Sequence, residues 1–203
     1  QVKIDIKDAV VDGFLNANEI KLILQRAKLY PLAQPLETID ARQIEDVLKS
    51  SPFVNDAQCY KTQSGQVCIQ LTQRTPVMRV KADNGDDYYV DNHGGVMPNT
   101  KYCSEIMIAT GKVNRNYACK VLTKLGNTIV NDKFWRNQIV QVNVLADGTV
   151  ELVPRVGEHI IYIGYPNGLK EKLARLEKFY RYGLSKAGWN KYSYINLAFE
   201  NQI

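Results

Sequence analysis

The stretch from Leu169 to Leu184 constrains the fold more than any other. Leu169, Leu173, Leu176, Tyr180 and Leu184 recur every three or four residues, the spacing of one apolar stripe on a helix. Lys170, Lys172, Arg175, Lys178 and Arg181 cover the other side together with Glu171 and Glu177. A coiled coil is the alternative, but the stripe is short for one. Strand-like segments flank it, Glu158–Gly164 before and Lys191–Phe199 after, so the stripe is expected to lie on a sheet. The second flank alternates: Ile195, Leu197 and Phe199 are placed on one face, Tyr192, Tyr194 and Asn196 on the other. A strand added last is expected at a sheet edge, where unpaired N–H and C=O groups are open to another chain.

The first part of the chain has a different order. Val2, Ile4 and Ile6 alternate with Lys3, Asp5 and Lys7, which predicts an opening strand. Asn16 and Glu19 have capping-box spacing, with Leu15 and Ile20 as the hydrophobic staple, and Ile20, Ile23, Leu24 and Ala27 line the helix that follows. Asp40 and Gln43, stapled by Ile39 and Ile44, start a second helix that Pro52 ends. Two strands follow, Val54–Lys61 and Gln66–Arg74, joined at Gln63-Ser64-Gly65. The result is strand, helix, helix, strand, strand, with both helices on one face of the sheet.

Pro76 reads as the hinge to the remainder, in extended backbone. Short strands are expected at Val77–Lys81, Tyr88–Asp91, Val96–Pro98 and Ser104–Thr110, then a helix over Tyr117–Asn131. In that helix Tyr117, Val121, Leu122, Leu125, Ile129 and Val130 are expected inward. Ile139–Leu145 and Thr149–Pro154 form a hairpin at Ala146-Asp147-Gly148, and Glu158–Gly164 is the next strand.

The totals bound the possibilities. The length of 203 residues suits one large domain or two small ones, and 45% hydrophobic with 23% charged residues is ordinary for a folded, water-facing chain. The net charge of +5 is small and the basic residues are interleaved with acidic ones, so no nucleic-acid stripe forms. No apolar run reaches the ~18 residues that would span a bilayer. The start at Gln1, with no signal-peptide pattern, gives the expectation of a processed form or a piece of something longer.

Chemistry-bearing residues are sparse. Cys59, Cys68, Cys103 and Cys119 allow two bridges in three connectivities. Alternation places Cys59 inward and Cys68 outward across one hairpin, which argues against bridging them, and buried free thiols are the expectation. His93 lies in a turn, without the G-x-S-x-G partner that an oxyanion-hole loop would need. His159 shares parity with Ile161 and Ile163 and is expected in the core or at an edge. Asp83, Asp86, Asp87 and Asp91 surround a turn, but their spacing is not that of a calcium loop. No catalytic residue, metal set, phosphate loop or cofactor motif emerges, and the expectation is a protein that is not an enzyme.

The strand–helix–helix–strand–strand unit resembles a POTRA domain. Its exit, Gln70-Leu-Thr-Gln-Arg-Thr-Pro-Val-Met-Arg79, resembles an E-x-x-P-x-A motif. Tyr89-Val-Asp-Asn-His-Gly-Gly-Val-Met-Pro98 is similar to x-V-D-x-x-G-x-x-x-x-P. Ile161-Tyr-Ile-Gly164 with Lys170-Glu-Lys-Leu-Ala-Arg-Leu176 resembles L-x-L-G…K-x-x-R-L, and Tyr194-Ile-Asn-Leu-Ala-Phe199 resembles Y-V-D-L-R-Y. These are motifs of the FtsQ/DivIB cell-division family, which the chain resembles in their order over nearly its whole length.

The resemblance implies an α+β protein, with a β-α-α-β-β POTRA domain over residues 1–76 and a mixed-sheet β-domain with packing helices over 77–203. It implies a single-pass inner-membrane protein whose transmembrane helix precedes this chain and whose present region lies in the periplasm. The implied role is a scaffold for septal peptidoglycan synthesis that binds FtsB/FtsL-type partners by strand addition at Tyr194, Ile195, Asn196, Leu197, Ala198 and Phe199. Other divisome membrane proteins would meet the POTRA domain. Ala198 stands where the family commonly has Arg and Phe199 where it has Tyr, and Asp147-Gly148-Thr149 replaces a more basic stretch. A POTRA-bearing assembly or secretion factor is the alternative, although the chain holds no second copy of the unit. A secreted hydrolase using Cys103 or Cys119 is a third reading.

Overall fold

The structure, a computed structural model, describes residues 1–7, 15–100 and 106–199. These residues form two compact units, one of residues up to Thr75 with Thr100, and one of Pro76–Asn99 with the residues from 106 onward.

In the first unit the strand order is β1–β3–β2, where β1 is Val2–Lys7, β2 is Val54–Lys61 and β3 is Val67–Gln73. Central β3 runs parallel to β1 and antiparallel to β2. The centre falls to β3 because its Val67, Cys68, Ile69 and Leu71 are all buried, as a strand flanked on both edges requires. Helices α1 (Ala17–Arg26) and α2 (Ala41–Lys49) begin at the expected caps. Asn16 Oδ1 accepts from the Asn18 and Glu19 N–H groups, and Glu19 Oε2 accepts from the Asn16 N–H at 3.0 Å. Asp40 Oδ1 accepts from the Arg42 and Gln43 N–H groups. Ile20, Leu24, Ile44 and Leu48 close over Ile69 and Leu71 in one core.

Alternation places the cysteines as expected. Cys59 pairs across from Ile69 and Tyr60 from Cys68, so the thiols lie on opposite faces of the ribbon, and both are free. Burial pushes the Cys59 thiol up to about 11, with Glu45 adding to the shift. Cys119 is also free, and Cys103 lies outside the described residues.

The second unit is built on an eight-stranded sheet in the order β11–β10–β9–β8–β7–β4–β5–β6. Its strands are β4 (Pro76–Ala82), β5 (Asp87–Asp91), β6 (Val96–Pro98), β7 (Ile108–Gly111), β8 (Ile139–Val144), β9 (Val150–Pro154), β10 (Ile160–Gly164) and β11 (Tyr194–Asn196). The predicted strand over Ser104–Thr110 is present from Ile108, and its first residues lie outside the described ones. One cross-strand row, Val80, Ala109, Val142, Leu152, Ile161 and Ile195, passes through six strands. Each of these side chains is at most 3% exposed, so the row forms the floor of the core.

The parallel pairs β7–β8 and β10–β11 need crossovers, and a helix supplies each. Helix α3 comprises Arg115–Tyr117, a π-helical turn Ala118–Leu122 and Thr123–Asn131. It presents Ala118, Leu122, Leu125, Gly126 and Ile129 to the core. A Cβ on Gly126 would stand 3.2 Å from Val77, which is why the helix can lie so close to β4. Val130, expected inward, is 44% exposed, because the inward face ends at Ile129 in the last turn. Helix α4 comprises Leu169–Phe179, a π-helical turn Tyr180–Leu184 and Ser185–Ala187. Its predicted stripe is buried at all five positions.

Helix α1 ends in a Schellman turn: Leu29 N–H donates to Leu24 O and Lys28 N–H to Gln25 O. The left-handed residue there is Lys28, with φ 58°, where glycine has no Cβ cost. Lys28→Gly is therefore expected to stabilise the first unit by about 0.5–1 kcal/mol. Chemical denaturation of the chain, followed by a probe in this unit, measures it.

Candidate functional site

The expected edge strand lies at the end of the eight-stranded sheet, beside β10. It is shorter than the alternation suggests. The sequence predicts a strand over Lys191–Phe199, but only Tyr194–Asn196 pairs, in register with Ile160–Tyr162. Ser193 O accepts from the Ile160 N–H at 3.0 Å, and Leu197 N–H donates to Tyr162 O at 2.8 Å. In a parallel ladder a residue's N–H and C=O point to the same side, and successive residues alternate. Ser193, Ile195 and Leu197 therefore face β10, and the main-chain groups of Tyr194 and Asn196 face the open side.

The side chains divide as predicted only within the strand. Ile195 and Leu197 are buried in the core, at 3% and 0% exposure. Tyr194 stands on the opposite face and stacks on Tyr162, ring centroids 6.1 Å apart. Burial holds the Tyr194 phenol above its usual range, with Glu151 contributing. Phe199, expected beside Ile195 and Leu197, is instead 63% exposed. Tyr192, expected beside Tyr194, meets Phe179 of α4 at 5.6 Å. Both departures lie outside the paired residues, where nothing enforces a period of two.

Two cations of α4 explain why pairing stops. Lys172 and Arg175 were expected on the solvent side of the helix, yet both are partly buried. Lys172 Nζ donates to Ile163 O at 2.7 Å, Tyr165 O at 2.8 Å and Asn167 Oδ1 at 3.2 Å, gathering the chain as it leaves β10. Arg175 Nη2 donates to Leu197 O at 3.1 Å and Nη1 to Phe199 O at 2.6 Å, gathering the chain as it leaves β11. Burial, and then the neighbouring Arg175 charge, lower the Lys172 pKa. Helical spacing of three residues puts the two side chains on adjoining turns. A period count treats every Lys or Arg off the apolar stripe as solvated, so their carbonyl contacts left no signal in the stripe.

Aromatic packing fastens the other end of the strand. His159 is 1% exposed, and its Nε2 meets the Tyr180 hydroxyl at 2.6 Å. Tyr180 packs edge-on against Trp135 at 5.1 Å and Trp189 at 5.3 Å. Trp135 is fully buried, and its indole N–H donates to Leu173 O at 3.2 Å. His159 Nδ1 lies towards the Trp189 carbonyl without a well-formed hydrogen bond. Of the core and edge positions expected for His159, the structure shows the core one.

The other singled-out residues have structural roles. Asp91 Oδ1 accepts from the His93 N–H at 2.9 Å and the Gly95 N–H at 2.6 Å, which folds the Asn92–Gly95 turn. Gly94 there has φ 86°, and a Cβ would stand 2.6 Å from Cys119 O. Asp87 takes a two-point contact from Arg79 at 2.8 and 2.7 Å. Asp83 faces Lys112 at 3.4 Å. Among the described residues no group of three or more His, Cys, Asp or Glu is placed to hold a metal ion.

A short strand at a sheet edge, fastened at both ends and with no further strand beside it among the described residues, suits addition of another chain. Residues 75–203 match the family described as FtsQ/DivIB, C-terminal related, and residues 1–72 match a POTRA-like domain. The chain belongs to the FtsQ/DivIB, C-terminal related, family. It has no match among curated proteins. Membership of the FtsQ/DivIB family, together with the POTRA-like unit, supports a cell-division scaffold role. The family is generally one of membrane-associated, non-catalytic division proteins. Among the described residues of this chain no helix is long and apolar enough to cross a membrane.

The buried histidine sets a pH dependence. Burial lowers the His159 pKa below 6.5, and the Trp189 carbonyl opposes that shift less strongly. The folded state then prefers neutral imidazole, so the unfolded chain binds more protons once pH falls below the unfolded value. Stability is full above 6.5 and declines as pH drops through that value towards the folded pKa. Thermal unfolding of wild type and His159→Gln, compared between about pH 7.5 and 5.5, should show a steeper acid loss for wild type.

Proposed function

We propose that this chain is the extracytoplasmic part of a non-enzymatic divisome scaffold, and that an FtsB/FtsL-type partner adds a strand to the open side of β11. Tyr194 through Phe199 form the docking segment, with the pairing done by Tyr194–Asn196. In this reading a transmembrane helix outside the present chain anchors the protein in the inner membrane, and both units lie in the periplasm. Bringing the partner to the septum helps organise peptidoglycan synthesis there. The POTRA-like unit is the surface for other divisome membrane proteins.

The observation that carries this reading is the direction of the Tyr194 and Asn196 main-chain groups, which follows from the parallel register with β10. Main-chain pairing needs no particular side chain, so Ala198 and Phe199, in place of the family's Arg and Tyr, do not remove its basis. They shift specificity towards shape and apolar contact, since Phe199 is exposed and carries no hydroxyl.

Asn196→Pro removes an N–H that faces the open side and breaks no bond to β10. It also removes the side-chain acceptor of the Ala198 N–H, now at 2.9 Å. Asn196→Ala removes that acceptor alone and is the control. Binding to the extracytoplasmic segment of the same organism's FtsB-type partner, measured by calorimetry, is expected to weaken about tenfold or more for Asn196→Pro relative to Asn196→Ala. Equal affinities would exclude docking through this edge.

A further inference from the structure

We infer that Arg175 is a positioning residue for the docking edge: it ends β11 after Asn196 and thereby sets how much strand a partner can pair with. This rests on the edge-docking reading and extends it to the length of the added strand.

The backbone after Asn196 is occupied group by group. Leu197 N–H is bonded to Tyr162 O at 2.8 Å. Leu197 O, which would continue the ladder towards β10, is held instead by Arg175 Nη2 at 3.1 Å. Ala198 N–H, the next group that alternation would turn outward, is closed by Asn196 Oδ1 at 2.9 Å. Phe199 O is held by Arg175 Nη1 at 2.6 Å. Within the paired ladder, an added strand therefore meets outward main-chain groups at Tyr194 and Asn196, a segment of about three residues.

The guanidinium suits this task where an ammonium does not. Its planar fork spans two carbonyls that are two residues apart, while Lys172 nearby is a point charge used on a compact cluster. Glycine at position 164 completes the bend. A Cβ there would stand 3.1 Å from Ala198 Cβ, so the chain leaving β11 lies directly against the end of β10. Phe199 is turned outward by the same bend and is 63% exposed.

A strand end held this way loses little freedom when a partner arrives. Without Arg175 the strand would fray from its end at Asn196, the outward groups of Tyr194 and Asn196 would have to be ordered at the moment of binding, and that cost appears mainly as faster dissociation. Amide exchange on the whole chain reads the free state, and binding of the FtsB-type extracytoplasmic segment reads the complex. In Arg175→Gln, exchange of the Leu197 N–H is expected to speed up by about tenfold or more, with the Val142 and Leu152 amides unchanged. Partner affinity is expected to fall about tenfold through the off-rate. Arg175→Lys is expected to recover only part of either effect, and Lys172→Gln should leave the Leu197 amide protected.

Unchanged Leu197 exchange in Arg175→Gln would overturn the inference, as would faster exchange with unchanged affinity while Asn196→Pro weakens binding. If Asn196→Pro binds as well as Asn196→Ala, docking at this edge is what fails. The positioning role then falls with it, and faster exchange would show Arg175 as a structural clasp only.

Discussion

The second unit depends on one contact surface, the inner face of α4 against β10 and β11. Leu173, Leu176, Tyr180 and Leu184 are each at most 2% exposed and share a core with Ile161, Ile163, Ile195 and Leu197. Burying an aliphatic or aromatic side chain contributes about 1.5–3 kcal/mol, and the stripe buries several at once, whereas the part-exposed Lys172 and Arg175 exchange bonds to water for bonds to carbonyls and keep only the net difference. Burial therefore fixes the helix, and the polar contacts decide what the helix does to its neighbours. With the stripe seated, the backbone of Lys172 and Arg175 is fixed within reach of these carbonyls. They sit one turn apart on the flank of the stripe, level with the carbonyl ends of two parallel strands. The aromatic group of Trp135, Tyr180, Trp189 and His159 extends the same surface towards the start of β11.

How much of this was legible in the residues follows from which forces act locally. Capping, alternation and the helical stripe are local, and they placed both caps of the first unit, the opposed faces of Cys59 and Cys68, and all five stripe positions. Val130, Tyr192 and Phe199 were misplaced for one shared reason. Each extends a pattern beyond the residues that pack, where solvent or a tertiary hydrogen bond takes over. The final strand is the clearest case. Its alternation continues to Phe199, but the ladder stops at Asn196 because Arg175, 22 residues earlier than Leu197, takes the carbonyl the ladder would use. The identity of that acceptor cannot be read from the helix, since the same spacing would suit a fully solvated arginine. The edge position itself was expected from chain order, and the sheet order agrees with it.

The two ends of the eight-stranded sheet differ in a way that bears on docking. An open edge invites unwanted pairing, and short strands or proline blunt it. Both edge strands here have three residues, so neither offers a long template. At the β6 end the strand closes on Pro98, paired across from Tyr88, and proline has no N–H to give. At the β11 end no residue lacks an N–H, and tertiary contacts rather than proline limit the edge: Trp189 and Tyr192 on one side, Arg175 on the other. Limiting an edge by contacts at its ends leaves the middle able to pair. In the docking proposed above, a strand added at the end of the sheet that α4 braces would meet a backbone already held in extended geometry.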